Sequence, residues 1–187
     1  LTIPEGTESF EMNGYSQKFV NLKIVSNAEK TVLHKMNIVS NTGTPIQLSS
    51  SEVVLNQVNV SSNNLCLVLK AEMVDLKLQG TIGLTSGTQN TMLSRNVVMS
   101  KNVNNASSQL SLSGKMLVCG NVTNQQLLAN QGSEIKTITQ EEYELFVGGV
   151  IVITMDANGG DELAQNTTEA FRNHPVGVLP DPTREYY

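Results

Sequence analysis

The sequence predicts an all-β fold, a single-stranded parallel β-helix (solenoid) with about 20 residues in each coil. The first observation is a repeat, because the pattern Val-Leu-x-x-Met-Asn-Ile-x-Ser-Asn at residues 32–41 returns as Val-Leu-x-x-Val-Asn-Val-x-Ser-Asn at residues 54–63. The second is the alternation of apolar and polar residues inside each repeat, which is typical of strands. The third is the Ser, Asn, Thr and Gly clusters between the apolar runs, which favour turns.

The repeat predicts which residues stack on one another. Glu52 aligns with Glu72 and Val54 with Val74, an offset of 20 residues. Val32, Val54 and Val74 are therefore expected to touch in a single column.

The asparagines that end the two best repeats, Asn41 and Asn63, are expected to be neighbours at one corner. They form either a hydrogen-bonded ladder between coils or separate turns that exploit the tolerance of Asn for positive φ. Weaker copies of the pattern, at 92–102 and 116–121, extend the repeat along the chain.

Residues 1–133 are interpreted as the solenoid and residues 134–187 as an acidic C-terminal cap or oligomerisation segment. The second segment carries three Lys or Arg residues against ten Asp or Glu residues. An open solenoid end exposes unpaired strand edges and apolar side chains, which repeat proteins cover with an atypical terminal segment. The segment is also the expected place for contacts in a homo-oligomer.

The C-terminal segment is predicted to be a small mixed α/β structure. Residues 139–148 contain a capping box followed by glycine, which predicts a short helix. Residues 150–153 form an apolar run that predicts a buried strand. Asp161 is expected to cap a second helix over residues 162–172.

The alternative fold is an antiparallel β-sandwich or jelly roll, which also has short strands separated by regular turns. A jelly roll of the viral-capsid type would assemble into shells, and the repeat would then be a coincidence.

Composition excludes several classes of function. The net charge is −5 and basic residues are not concentrated anywhere, so a nucleic-acid partner is not expected. No apolar run approaches the roughly 20 residues of a membrane-spanning helix. Cys66 and Cys119 lie in apolar runs without a Cys-x-x-Cys motif, so they are expected to be buried thiols. Phosphate-binding and dinucleotide-binding glycine motifs are absent, and no cofactor is expected.

The carboxylates of the solenoid are the candidate catalytic residues. Glu52 and Glu72 are expected on adjacent coils, about 5 Å apart as neighbouring strands are, with Asp75 nearby. Such a pair shares a proton or binds a cation, which is the chemistry of many carbohydrate-active enzymes. The competing interpretation places them at solvated corners near Lys70 and Lys77, without a catalytic role.

Two other groups of residues are weighed as sites. Asp156, Asn158 and Asp161 surround a glycine turn and are weak candidates for a cation site, although their spacing fails the EF-hand pattern. The competing interpretation is a strand-to-helix turn. The two histidines are interpreted as surface residues, and four sequons, which matter only in a secreted eukaryotic protein, lie at Asn59, Asn105, Asn121 and Asn166.

The repeat at residues 32–41 and 54–63 resembles the right-handed parallel β-helix proteins of the pectin-lyase-like group, phage tail spikes and bacterial surface passengers. The resemblance is one of fold and covers about residues 15–135. It implies a secreted, cell-surface or virion protein that binds or cleaves polysaccharide, but no catalytic constellation of the group matches residues of this chain.

We therefore expect a non-enzymatic structural or adhesive module, with polar faces of Asn, Ser, Thr and Gln that bind a glycan or a protein. The expectation depends on the contrast between a regular apolar repeat and a nearly uncharged exterior. The alternative is a carbohydrate-active enzyme, a polysaccharide lyase or hydrolase, that uses Glu52, Glu72 and Asp75.

Overall fold

The computed structural model describes residues 1–101, 108–127, 134–148, 150–154 and 167–171. The chain divides into two compact units, Leu1–Thr139 and Gln140–Tyr187. The first unit is a parallel β-solenoid of about five turns, as the repeat predicts.

The solenoid is built from short strands in its early coils and from long strands that continue around corners in its later coils. In chain order they are β1 (Thr2–Ile3), β2 (Ser9–Asn13), β3 (Lys18–Val20), β4 (Ile24–Ser26), β5 (Lys30–His34), β6 (Asn37–Ser40), β7 (Ile46–Leu48), β8 (Glu52–Asn56), β9 (Asn59–Ser62), β10 (Leu67–Gln79), β11 (Thr81–Lys101), β12 (Gln109–Val118), β13 (Val122–Thr123) and β14 (Glu134–Thr137). A 3₁₀ turn, Gln125–Leu127, follows β13.

Parallel pairing arranges these strands in three stacks, here named sheets A, B and C. Sheet A contains β2, β5, β8, the second half of β10, the end of β11 and β13. Sheet B contains β3, β6, β9 and the starts of β11 and β12. Sheet C contains β1, β4, β7, the start of β10, the middle of β11, the end of β12 and β14.

The stacking register differs from the predicted one after the second repeat. Val32 is in register with Val54, as predicted, but the partner of Val54 in the next coil is Lys77. The expectation that Val74 continues this column is wrong. The coils average about 23 residues rather than 20. In β10, an irregularity between Leu69 and Met73 adds residues before the sheet A part of the strand, so Val54 pairs with the residue 23 positions later.

The interior consists of aliphatic columns that follow the register. Examples are Leu33, Leu55 and Leu78 in sheet A, Ile38, Val60, Leu84 and Leu112 in sheet B, and Ile24, Ile46, Leu67, Met92 and Met116 in sheet C. All of these side chains are at most 3% exposed. Each contributes roughly 1.5–3 kcal/mol of burial energy, which makes the columns the main stabilising feature of the unit.

Hydroxyl groups satisfy one another at an interior corner between sheets C and A. Thr31 Oγ1 donates to Ser26 Oγ and hydrogen-bonds Ser50 Oγ, each at 2.7 Å, and all three residues are 0% exposed. Two neighbouring coils are thereby tied together without an unpaired hydroxyl in this cluster, since a buried hydroxyl without a partner is costly.

The alternative antiparallel sandwich or jelly roll is wrong, because every strand pair of β1–β14 is parallel. The first unit ends at Thr139, after β14 has continued sheet C. The sequence pattern placed the boundary after residue 133. The capping role of the C-terminal segment stays a prediction.

The second unit contains one helix and one hairpin-like strand pair. Helix α1 (Gln140–Gly148) and strand β15 (Val150–Thr154) confirm the predicted helix and strand. The helix predicted over residues 162–172 is wrong at its C-terminal half, because Thr167–Phe171 forms strand β16, antiparallel to β15. Pairing with β15 and two consecutive β-branched threonines outweigh the helical periodicity there.

Candidate functional site

The outward positions of sheet B form an uncharged polar surface. The third to fifth coils contribute β9, the start of β11 and the start of β12 to this sheet. Their outward positions are occupied by Asn59, Ser61, Thr81, Gly83, Thr85, Gln109, Ser111 and Ser113. All except the half-buried Gly83 are exposed. Neighbouring strands lie about 4.8 Å apart and alternate side chains share a face, so the surface presents hydroxyls and amides in regular rows.

In the second to fourth coils, a sharp corner joins sheet A to sheet B. His34, Asn56 and Gln79 are in register at the end of sheet A, so the residues that follow them, Lys35, Gln57 and Gly80, occupy equivalent positions. Their φ angles are 46°, 55° and 67° respectively. This left-handed conformation changes the direction of the chain within a single residue. It suits glycine better than residues with a Cβ.

The residues of this corner and the edge of sheet B line a groove with a volume of about 380 Å³. Its lining comprises Ser16, Lys35, Met36, Asn37, Gln57, Asn59 and Thr81. We name it the corner groove. Lys35 is the single ionisable residue of this lining, and Met36, which is 1% exposed, is the single apolar one.

Two glycines of the fourth coil leave room for the amides that line the corner groove. A methyl group at Gly80 would lie 3.0 Å from Gln57 Cγ, and one at Gly83 would lie 2.7 Å from Asn59 Oδ1. Both glutamine and asparagine side chains therefore lie along the stack, against the backbone of the next coil.

Four charged side chains of sheet A pair with one another. Glu52 Oε1 lies 2.8 Å from Lys30 Nζ and 3.0 Å from Lys77 Nζ, and Lys77 Nζ lies 3.3 Å from Asp75 Oδ2. The hydrogen bonds from Lys30 and Lys77 lower the pKa of the Glu52 carboxyl below its ordinary value of 4.5. The bond with Glu52 raises the pKa of Lys77.

The predicted carboxylate pair of Glu52 and Glu72 is wrong, because Glu52 is in register with Lys30 and Asp75. The added residues of the β10 bulge move Glu72 out of that column. Glu52 and Asp75 do lie on adjacent coils. Since two lysines hold Glu52 ionised, however, it is poorly suited to donate a proton at neutral pH.

His34 is part of a polar row on sheet A. Its Nε2 lies 3.0 Å from Glu11 Oε1, and its Nδ1 lies 3.1 Å from Asn56 Nδ2. Because Asn56 Nδ2 is a donor, Nδ1 accepts and Nε2–H donates to the carboxylate. This fixed tautomer links three consecutive coils.

The two cysteines are free thiols. Cys66 is buried, as expected, whereas Cys119 is only partly buried. The Cys66 Sγ lies 3.1 Å from the Thr85 carbonyl oxygen, and burial raises the pKa of this thiol to about 12. A thiol that stays protonated at neutral pH is a poor nucleophile, so Cys66 acts as a small packing residue.

The corner asparagines behave as the repeat predicts in position. Asn41 and Asn63 follow Ser40 and Ser62, which are in register, so they are neighbours at one corner. The Asn41 N–H donates to Asn21 Oδ1 at 2.9 Å. The Asn63 N–H donates to the Ser40 carbonyl oxygen at 3.2 Å, so bonds from backbone N–H groups connect these coils.

Within the residues that the structure describes, no group of three or more His, Cys, Asp or Glu side chains is placed to hold a metal ion. The candidate cation residues Asp156, Asn158 and Asp161 lie outside those residues. Of the four sequons, Asn59 and Asn121 are exposed, and Asn105 and Asn166 are likewise outside.

Comparison with protein-family models, curated proteins and solved structures finds no significant match. In the described part of the chain, no helix has the length and apolar character needed to cross a membrane.

Sequence reasoning missed the corner groove. Lys35, Gln57 and Gly80 share no residue type, so a search for repeated letters does not connect them. The offset of 22 between the two best repeats already aligns Lys35 with Gln57. An offset of 23 instead of 20 for the next coil would have added Gly80 to that column, with glycine as the sign of a left-handed corner.

Proposed function

We propose that this chain is a non-enzymatic structural and adhesive β-solenoid module that contacts a glycan or a protein through sheet B. We also propose that it is related to the right-handed parallel β-helix proteins of the pectin-lyase-like and tail-spike-like group and belongs to a secreted, cell-surface or virion protein. Homo-oligomer contacts through residues 134–187 are part of the same proposal.

The observation that carries the proposal is the difference between two surfaces of one stack. On sheet A, Glu52 is paired with two lysines, and Asp75 with one of them. On sheet B, the outward positions of the third to fifth coils carry no charge and present hydroxyl and amide groups in rows. Such groups both donate and accept hydrogen bonds, which suits a ligand rich in hydroxyl or peptide groups.

Rigidity supports an adhesive role. Sheet B lies over aliphatic columns that are at most 3% exposed, so its polar side chains project from a well-packed support. A preorganised surface loses less conformational entropy when it binds than a flexible loop does.

The test is a binding screen with the purified chain against immobilised oligosaccharides and extracellular-matrix proteins. Ser61→Lys and Thr85→Lys place charges in the middle of sheet B. Ser9→Lys and Thr123→Lys are the matched controls, because both residues are exposed on sheet A.

We expect the sheet B variants to weaken binding at least about tenfold, since each buries a lysine charge at the contact. The sheet A controls should bind as the unmodified chain does. Equal losses in both sets, or no binding partner in the screen, would contradict the proposal.

A further inference from the structure

Two residues that line the corner groove, Lys35 and Gln57, have a backbone conformation in which glycine would be less strained. The chain itself supplies the comparison, because Gly80 occupies in the fourth coil the position that Lys35 and Gln57 occupy in the second and third. A non-glycine residue with positive φ pays a conformational penalty that glycine avoids. Strain of this kind concentrates at functional sites, where the side chain is needed.

Non-glycine residues with positive φ are concentrated at the corner groove. Six non-glycine residues in the described part of the chain have positive φ: Tyr15, Ser16, Asn21, Lys35, Gln57 and Asn124. Of these, Ser16, Lys35 and Gln57 line the corner groove, and Tyr15 directly precedes it in the chain. Tyr15 is 76% exposed, which makes it the most exposed large apolar residue described.

From these observations we infer that the corner groove is a saccharide-binding subsite, with Lys35, Gln57 and Asn59 as its ligand contacts. The inference rests on the proposed function and narrows its ligand to a carbohydrate. The residues of the lining favour one class of ligand. A single lysine provides too little positive charge to bind a phosphate chain. A single buried methionine provides too little apolar surface to bind a peptide anchor or a lipid.

A saccharide meets the remaining requirements. Its adjacent hydroxyls donate and accept, and the amides of Asn37, Gln57 and Asn59 do the same. The Gln57 and Asn59 side chains already lie along the stack in the free chain, in the space beside Gly80 and Gly83. Tyr15 directly precedes Ser16 of the lining and is exposed, so an aromatic ring is available next to the groove for the apolar face of a sugar ring.

The experiment uses the full chain and a panel of neutral gluco-, manno- and galacto-oligosaccharides with their uronate counterparts, followed by calorimetric titration. Lys35→Gly and Gln57→Gly remove the groove side chains together with the strain. Asn124→Gly is the matched control, because it relieves the same backbone conformation at a residue that does not line the groove. Gly83→Ala is a second variant, since its methyl group displaces the Asn59 amide without adding charge.

We expect at least one oligosaccharide to bind, and Lys35→Gly and Gln57→Gly to weaken it at least about tenfold. Neither variant should lower the midpoint of thermal unfolding, because glycine fits this corner. Gly83→Ala should weaken binding with the fold intact, and Asn124→Gly should bind normally. A merely structural role for Lys35 and Gln57 predicts the opposite, a lower midpoint with unchanged binding.

Two outcomes separate this inference from the proposed function. If Ser61→Lys and Thr85→Lys abolish binding but the groove variants do not, sheet B is the contact and the groove subsite is overturned. If no oligosaccharide in the panel binds and only proteins or peptides do, the saccharide assignment is overturned while an adhesive role survives.

Discussion

The side chain of Asn96 lies directly over Gly120 of the next coil, in space that any Cβ at position 120 would occupy. Its Nδ2 donates to the Glu72 carbonyl oxygen at 3.1 Å, and its Oδ1 accepts from the Asn121 N–H at 2.9 Å. One amide thus connects three consecutive coils. Asn59 over Gly83 has the same geometry, so glycine in one coil makes room for asparagine in the coil before it.

Gly120→Ala should destabilise the solenoid by about 1–2 kcal/mol, because the methyl group displaces an amide that makes two hydrogen bonds. Chemical denaturation of the variant measures the change. In the Asn96→Ala background the same substitution should cost much less, since no amide remains to be displaced. Equal costs in both backgrounds would show that Asn96 does not lie over Gly120.

Thr31→Val should destabilise the chain by about 1–3 kcal/mol, although valine has almost the same shape as threonine. The substitution leaves the buried hydroxyls of Ser26 and Ser50 without their shared partner. A triple variant with Thr31→Val, Ser26→Ala and Ser50→Ala also removes the two unpaired hydroxyls, so it should recover part of the lost stability. A triple variant that is less stable than Thr31→Val would contradict this account.

Glu52 should make stability depend on pH in the acid range. Its pKa is lowered in the folded chain, so its contribution is present at neutral pH and above the unfolded value of 4.5. That contribution is lost as the pH falls below 4.5 through the lower folded-state pKa. Because the ion pairs are partly exposed, the effect is about 1 kcal/mol or less and decreases with added salt.

Denaturation of Glu52→Gln at pH 7 and near pH 3 measures this contribution. The variant should be less stable than the unmodified chain at pH 7 and nearly equal to it at the acid end. A difference that stays the same at both pH values would show that Glu52 is not held by Lys30 and Lys77.

Cys66 should resist thiol reagents in the native chain. Its pKa is raised to about 12 by burial, so the thiolate is scarce at neutral pH and the sulfur is also inaccessible. In a Cys119→Ser variant, a disulfide reagent at pH 8 should therefore react only after denaturant is added. Rapid reaction in the absence of denaturant would place Cys66 outside the core.

The same residue should lower stability in strongly alkaline solution. Above its ordinary pKa of 9.0, the thiol ionises in the unfolded chain while it stays protonated in the folded one up to about pH 12. The unfolded state is thereby favoured as the pH rises through this interval. Cys66→Ala should show a shallower alkaline loss of stability than the unmodified chain.

The sequence predicted the parallel stack because hydrophobic alternation and turn residues act locally. Val32 and Val54 were paired correctly, since β5 and β8 each span five residues, contain the same Val-Leu pair and are followed by similar strands. The next coil was misaligned, because the bulge in β10 adds residues that no local pattern marks. Because the prediction assumed an offset of 20 residues for this coil, it placed Val74 over Val54 and paired Glu52 with Glu72.

The candidate site depended on the same register. Lys35, Gln57 and Asn59 have ordinary turn and strand identities in the linear sequence, and they become a groove only when the coils are stacked at the observed offsets. The role of Gly80 and Gly83, which leave space for amides of the preceding coil, likewise depends on contacts between residues more than 20 positions apart. Periodicity predicts the stack, but the lengths of its corners set the site.

Nuclear Overhauser effects between backbone protons of β8 and β10 test the stacking register most directly. The structure predicts cross-strand contacts of a parallel pair that link Glu52 with Asp75, Val54 with Lys77 and Leu55 with Leu78. Contacts that link Val54 with Val74, or close Hα–Hα contacts typical of antiparallel strands, would contradict the register and with it the corner groove.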